Sequence, residues 1–365
     1  RRGAPCALFD RCGGCAYQAY DYAGQLAVKE AVLRETLLRG HVPWTGPIAL
    51  HPSPEVGWRM RASLHVHYGA DGLRLGLHEE GSHRVADLVT CLQLSPAMNA
   101  AQRALAGALA RRPDWARHVS DIDLAEAPDG AQLVASLETD LAPPAAAALG
   151  ALADDVPALT GLGVVAGVDR ARRFMPLRGE PWIEATVQGV SLRAHVRSFF
   201  QGNRFLLDDL VAAVSRLTPA GGPVLDLYAG VGLFALPLAG RADSVRGIEI
   251  DAGAVGDAQR NTERSGLANV RIERGDVAAA LREGGAALDE RVVLDPPRAG
   301  AGEEVVRAIA RRRPLSVVYV SCDPVTLARD LMVFAGEGYA PSAVEMFDLF
   351  PDTFHLETVV ALRRA

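Results

Sequence analysis

From residue 223 to the C-terminus the chain alternates short β-branched runs with longer helical-period segments. This alternation constrains the fold more than any other feature, because strands separated by helices pair in parallel and are covered on both faces. Residues 223–228 read as a buried strand, Ala229-Gly230-Val231-Gly232 as a tight loop and 233–240 as a short helix. Strand patterns recur at 245–249, 270–272, 292–295 and 317–321, and helical ones at 252–265, 303–310 and 324–334. Two strand patterns, 343–347 and 356–362, close the chain with no helix between them. The expectation is a doubly wound α/β sheet ending in an antiparallel hairpin.

The first half reads differently, and we expect two domains, 1–190 and 191–365. Cys6, Cys12 and Cys15 stand in a C-x5-C-G-G-C run ahead of a helix expected over 22–39. Alternation over 58–68, a Gly69-Ala70-Asp71-Gly72 turn and 73–78 predict a β-hairpin with Arg59 and Arg61 on one face. Cys91 follows, then a helix over 96–110. Residues 120–190 mix strand patterns with Ala/Pro-rich stretches that do not order themselves into a topology.

Composition sets bounds. The 365 residues are 49% hydrophobic and carry a formal charge of −6, which speaks against a wholly basic nucleic-acid surface but leaves room for a local patch. Lys29 is the only lysine; the other positive charges are arginine, suited to bidentate phosphate contacts, although a base-composition bias explains most of this. Without an apolar run of about 20 residues or a signal-peptide pattern, the chain reads as cytoplasmic, with no membrane partner and as a monomer.

Glycines at 230 and 232 let backbone approach a ligand at the carboxyl ends of the strands, and Glu249 is placed to accept from two ribose hydroxyls. Asp276 ends the third strand pattern and could meet an adenine edge. Gly230-Val231-Gly232-Leu233-Phe234-Ala235 also fits the dinucleotide pattern, so a nicotinamide cofactor competes with S-adenosylmethionine. Asp226, the Asp295-Pro296-Pro297-Arg298 turn and the terminal hairpin favour the latter. Cys322, alone in Ser321-Cys322-Asp323-Pro324 at a strand end, is a candidate nucleophile against the alternative of an inert buried thiol. The other four cysteines suggest a metal centre, with structural zinc and iron–sulphur both open and disulfides disfavoured.

Asp226-Leu227-Tyr228-Ala229-Gly230-Val231-Gly232, Leu294-Asp295-Pro296-Pro297-Arg298, Ser321-Cys322-Asp323-Pro324 and His355-Leu356-Glu357 together resemble the S-adenosylmethionine-dependent RNA uridine-5-methyltransferases. The resemblance runs from Cys6 to the C-terminus. It implies a class I methyltransferase domain with an N-terminal iron–sulphur, β-rich RNA-binding domain. Cys322 would add to C6 of uracil and Glu357 would take the C5 proton. Gln201, Tyr228, Gly230, Glu249, Asp276 and Asp295 would hold S-adenosylmethionine, and Asp295 would lie near the transferring methyl or the uracil. His355 would orient Glu357, contact RNA or simply pack. Leu233 departs from the polar residue expected there, so its side chain would not contact the cofactor. The cysteine spacing is similar to the iron–sulphur, 23S ribosomal RNA members, implying a [4Fe–4S] cluster on Cys6, Cys12, Cys15 and Cys91 in a structural role. The family carries a β-barrel domain before the first cysteine; here five residues precede Cys6, so it was trimmed or the chain is a short member. Ribosomal RNA is expected ahead of transfer RNA, and a non-catalytic iron–sulphur RNA-binding protein is the alternative.

Overall fold

A computed structural model describes residues 2–42, 44–169 and 172–364. The N-terminal segment leads through helix α1 (Tyr22–Arg39), capped by Asp21, to a short strand β1 (Ala49–His51). A mixed sheet follows from β2 (Arg61–Gly69), β3 (Gly72–His78), β4 (Val85–Asp87), β5 (Val119–Glu126), β6 (Leu133–Thr139), β7 (Gly161–Ala166) and β8 (Arg173–Gly179), ordered β4-β3-β2-β5-β6-β7-β8. Helix α2 (Pro96–Ala110) and the short helices α3 (Pro113–Ala116), α4 (Pro143–Ala146) and α5 (Leu152–Asp155) accompany this sheet, and one apolar core joins its strands to α2 and the 146–156 stretch.

The hairpin β9 (Trp182–Val187) and β10 (Val190–His195) and helix α6 (Leu207–Leu217) lead into β11 (Pro223–Leu227), α7 (Ala235–Ala239), β12 (Ser244–Glu249), α8 (Ala252–Ser265), β13 (Val270–Arg274) and α9 (Val277–Glu283). Then come β14 (Arg291–Leu294), α10 (Gly302–Arg311), β15 (Ser316–Ser321), α11 (Pro324–Gly336), β16 (Tyr339–Phe347) and β17 (Glu357–Arg364). The second sheet runs β1-β16-β17-β15-β14-β11-β12-β13, with β11 to β15 parallel and β17 antiparallel to both β15 and β16. The fold is therefore the α/β fold of the class I methyltransferases, with the expected terminal hairpin.

Both faces of this sheet are buried, which is why its strands read as unbroken hydrophobic runs. Val224, Val293, Val318 and Val359 pack on one face against α6, α7 and α8. Their neighbours Leu225, Val292, Val317 and Val360 pack on the other against α1, α9, α10 and α11. Helix starts follow the side chains that can accept from free N–H groups: Asp251 caps α8, Asp276 caps α9, and Asp323 with Pro324 opens α11.

Three expectations change. Arg59 lies outside the hairpin, because Trp58 to Met60 turn away to bond with Gln93 and Gly202 backbone, so strand β2 starts at Arg61. Asp276 is a helix cap two residues beyond β13, not a strand end. Residues 49–51, unassigned in the sequence, extend the C-terminal sheet by pairing in parallel with β16. The 190/191 junction falls at the start of β10.

Lys29 on α1 is 1% exposed and donates to Asp348 Oδ1 at 2.6 Å and to the Phe350 carbonyl at 2.9 Å. Removing one partner of such a pair strands a buried charge, at about 3–5 kcal/mol. Lys29→Met is therefore expected to lower urea stability by about that amount, and the Lys29→Met/Asp348→Leu double variant to recover most of it.

Candidate active site

Strand β11 lies where the strand order reverses, with β12 on one side and β14 on the other, so the loop after it opens into the crevice beyond the carboxyl ends. Tyr228 turns that loop with φ +63°, a conformation uncommon for a residue with a Cβ, and Gly230 and Gly232 continue it with φ +54° and +91°. A Cβ on Gly232 would meet Leu236 Cδ1 at 2.3 Å, so glycine there is required twice over. Register brings the site together. Leu227 pairs with Ile248 and with Leu294, so Tyr228, Glu249 and Asp295 emerge side by side. Ser321 pairs with Thr358, and because β17 runs antiparallel its first residue, Glu357, lies next to Cys322 at the same edge.

A cavity of about 730 Å³ occupies that edge, within the range of small-molecule sites. Gln201, Tyr228, Gly230, Glu249, Asp276, Asp295, Cys322 and Glu357 all line it. Glu249 is held by two backbone donors, Gly230 N–H at 2.9 Å and Asp251 N–H at 2.7 Å, which fixes its carboxylate while leaving lone pairs for a ligand. Gln201 Nε2 donates to Asp295 Oδ2 at 3.4 Å. Leu233 lies outside the cavity's lining and is buried in the core.

Acid groups dominate the reactive end. Burial pushes Asp295 up to about 7, with the Gln201 hydrogen bond working against it. Burial, then the Asp295 charge, holds Glu357 well above the usual carboxylate range; its Oε1 has no hydrogen-bond partner among the described residues. Asp226, fully buried below the glycine loop, is raised by burial and by Asp295. Burial raises Cys322 to about 11, with Glu357 and Asp295 adding and Arg298 opposing, so the resting side chain is a thiol. His355 is pushed down to about 4 by burial and by Arg298, which donates to its ring at 3.0 Å, so it is neutral near pH 7. Arg298 was visible only as part of a motif; here it is the cation facing Cys322 and Glu357. Phe199, 71% exposed, and Ile250, 61% exposed, also line the cavity, and no pattern in the sequence singles them out.

Cys6, Cys12, Cys15 and Cys91 line one small cavity of their own beside Leu8, Leu77 and Leu88. None is disulfide-bonded. Cys15 Sγ accepts from Gln18 Nε2 at 3.2 Å and from Gln93 Nε2 at 3.0 Å, and Cys12 Sγ from Gly14 N–H at 3.4 Å. Among the described residues no three or more His, Cys, Asp or Glu side chains are grouped closely enough to hold a metal ion. No described helix is long and apolar enough to cross a membrane.

Known proteins place this architecture. The chain is 34% identical, over 98% of its length and 79% of the relative's, to the 23S rRNA (uracil(1939)-C(5))-methyltransferase of Pseudomonas putida. It is 33% identical to an uncharacterized RNA methyltransferase of Gloeobacter violaceus, over 99% of this chain and 83% of that one. Among solved structures, the Pyrococcus abyssi tRNA (uracil-54, C5)-methyltransferase in complex with S-adenosyl-L-homocysteine superposes with a TM-score of 0.77 at 26% identity, covering 96% of this chain and 86% of that one. The tRNA (Uracil-5-)-methyltransferase family model matches residues 21–365, and the chain belongs to that family of RNA uracil-5-methyltransferases.

Proposed function

We propose that the protein methylates C5 of a uridine in RNA, ribosomal RNA ahead of transfer RNA, with S-adenosylmethionine as donor and Cys322 as nucleophile. The observation that carries the chemistry is the pairing of Cys322 with Glu357 at one sheet edge. Support for ribosomal RNA is the name of the Pseudomonas putida relative; the archaeal neighbour keeps transfer RNA as the second reading. A non-catalytic RNA-binding role would give no reason for that pairing inside a cofactor-sized cavity.

Uracil C5 is a poor nucleophile until C6 is saturated. Bound S-adenosylmethionine supplies an electrophilic methyl group and a positive charge. The fixed Glu249 carboxylate suits ribose hydroxyls; of the other lining residues, Asp276 and Val277 would take the adenosine and Gln201 and Asp295 the methionine end. A positive charge beside Asp295 and Glu357 favours their ionised forms and that of Cys322. Cys322 gives its proton to solvent and its thiolate forms a bond to C6, and the electron pair of the C5–C6 double bond moves into the enolate. C5 then bonds the methyl carbon as the bond from that carbon to the sulfonium sulphur breaks, S-adenosylhomocysteine being the leaving group; ionised Glu357 takes the C5 proton, the double bond re-forms and the C6–S bond breaks, returning the thiolate. Neutral His355 keeps a second cation away from this exchange.

For the four cysteines we propose a [4Fe–4S] cluster with a structural role. The all-sulphur donor set and the N–H groups aimed at Cys12 and Cys15 suit it. Residues 1–190 would supply RNA contacts and 191–365 the chemistry, in a cytoplasmic monomer.

Labelled methyl transfer to unmodified ribosomal and transfer RNA, with mapping of the product base, tests the function. Cys322→Ala should abolish turnover without changing S-adenosylmethionine affinity, and wild type should be trapped covalently on RNA carrying 5-fluorouridine at the mapped position. Failure to trap, with RNA and cofactor bound, would sink the covalent route.

Glu357→Gln separates base from nucleophile. Turnover should fall by about 10²–10⁴-fold, the usual contribution of a positioned base. On ordinary uridine RNA the variant should accumulate a methylated covalent adduct of retarded mobility in denaturing gels. A variant that turns over normally, or binds RNA and cofactor yet forms no adduct, would assign Glu357 another role.

Protein purified without oxygen should be brown with about four irons per chain, and Cys91→Ala should lose the colour as completely as Cys12→Ala. Stoichiometric zinc in a colourless protein would favour the other metal.

A further inference from the structure

A second cavity, of about 630 Å³, adjoins the first, and His355 lines both. The backbone of the cysteine loop at Gly13, Gly14 and Cys15 forms one side. Strand β3 and the turn after it form another, with His83 edge-to-face on His78. Opposite stand Thr353, Phe354 and His355. The loop must pass close: a Cβ on Gly14 would meet Leu77 Cδ1 at 2.6 Å, and one on Gly13 the His78 carbonyl at 3.1 Å.

Two side chains here could meet a ligand. Phe354 is 61% exposed, its ring tilted against His355 with centroids 4.2 Å apart, so one aromatic face is presented to the opening. Arg59 lies over the Trp58 ring at 5.0 Å with its charge directed toward Cys12, Cys15 and Cys91, and no carboxylate among the described residues pairs with it. Of the two acids in the lining, Glu79 is paired with Arg11 at 2.7 Å and Arg84 at 3.6 Å, while Glu80 carries no ion pair among the described residues. An exposed aromatic face in one cavity with a guanidinium that no carboxylate neutralises is how proteins hold an unstacked base and its phosphate.

We propose that this second cavity receives the nucleotide immediately flanking the target uridine, its base stacked on Phe354 and its phosphate at Arg59. The proposal rests on reading the first cavity as the uracil site. Consecutive nucleotides share one phosphate, and two cavities that share His355 lie close enough for one strand to enter both. Phe354 lines only the second cavity, so its contribution is to binding and not to the reacting atoms.

The test uses the full chain and a synthetic RNA spanning the uridine mapped by methyl transfer, made intact, with an abasic ribose on its 5′ side, or with one on its 3′ side. With wild type, one abasic position should raise KM about tenfold, as expected for loss of one stacked base, and leave kcat nearly unchanged. Phe354→Ala should raise KM on intact RNA by a similar factor and show no further loss on that abasic RNA; Phe354→Trp should restore the wild-type KM. An unchanged KM for Phe354→Ala, or the same rise on intact and on both abasic RNAs, would overturn the proposal. If no RNA is methylated at any uridine, the reading of the first cavity fails, and this one with it.

Discussion

The buried pair of Lys29 and Asp348 is the constraint on which the geometry of the active site depends. Both side chains are out of water, at 1% and 0% exposure, and neither charge is tolerable there without the other. Asp348 opens the segment between β16 and β17, the segment that carries Phe350, His355 and then Glu357 into the cavity. Lys29 also donates to the Phe350 carbonyl, so one ammonium group fixes two points of that segment. Further along, Asp352 receives Gln25 Nε2 on its carboxylate and gives its own N–H to Gln25 Oε1, both at 2.9 Å. Its carbonyl accepts from Ala16 and Tyr17 N–H at 2.8 Å each. The strap bearing the proposed base is thus held from the N-terminal side of the chain.

That arrangement sets the electrostatics of the cavity. Asp226, Asp295 and Glu357 are pushed up by burial, and Arg298 is the cation the latter feels. The preorganised groups therefore leave the site short of positive charge. A cationic ligand would meet carboxyl groups already fixed in place and would shift them toward ionisation; their charges then hold the Cys322 proton more tightly, and the ligand's own charge, with Arg298, works the other way. A neutral or anionic ligand would do the reverse. The same logic makes a nicotinamide dinucleotide a poor occupant, since its pyrophosphate would add negative charge to a site where burial already opposes ionisation of Asp295 and Glu357.

What the sequence made legible was what local backbone and side-chain period dictate. The parallel strands were readable because residues such as Val292 and Val293 face opposite cores and leave no polar position between them. The loop at 228–232 was readable because close approach demands glycine. The α1 span was legible because apolar residues recur at helical spacing and Gly40 stops them; the Asp21 cap fixes its start in the structure. The tether was not, because Lys29 and Asp348 stand 319 positions apart and a lone lysine carries no periodic signal. Nor was β1, whose three residues gain strand structure only from pairing with β16. Arg59 was misplaced because alternation in 58–68 imitates a strand where the chain instead bonds to the 93 and 202 backbones.

The tether also bears on the cysteine loop. Ala16 and Tyr17, the two residues after Cys15, donate to Asp352, two positions before Phe354 and five before Glu357. On its other side the loop is bonded to β3 and the turn after it, through Gly13 N–H to the His78 carbonyl and Glu80 N–H to the Arg11 carbonyl. Whatever fixes the four sulphurs therefore fixes both walls of the second cavity relative to each other, with no electron transfer required. Were the proposed cluster bound by residues 6, 12, 15 and 91, it would close a long loop, removing conformational freedom that a segment of little secondary structure could not otherwise give up. For the proposed two-cavity RNA site, that rigidity, and not redox chemistry, would be the cluster's contribution.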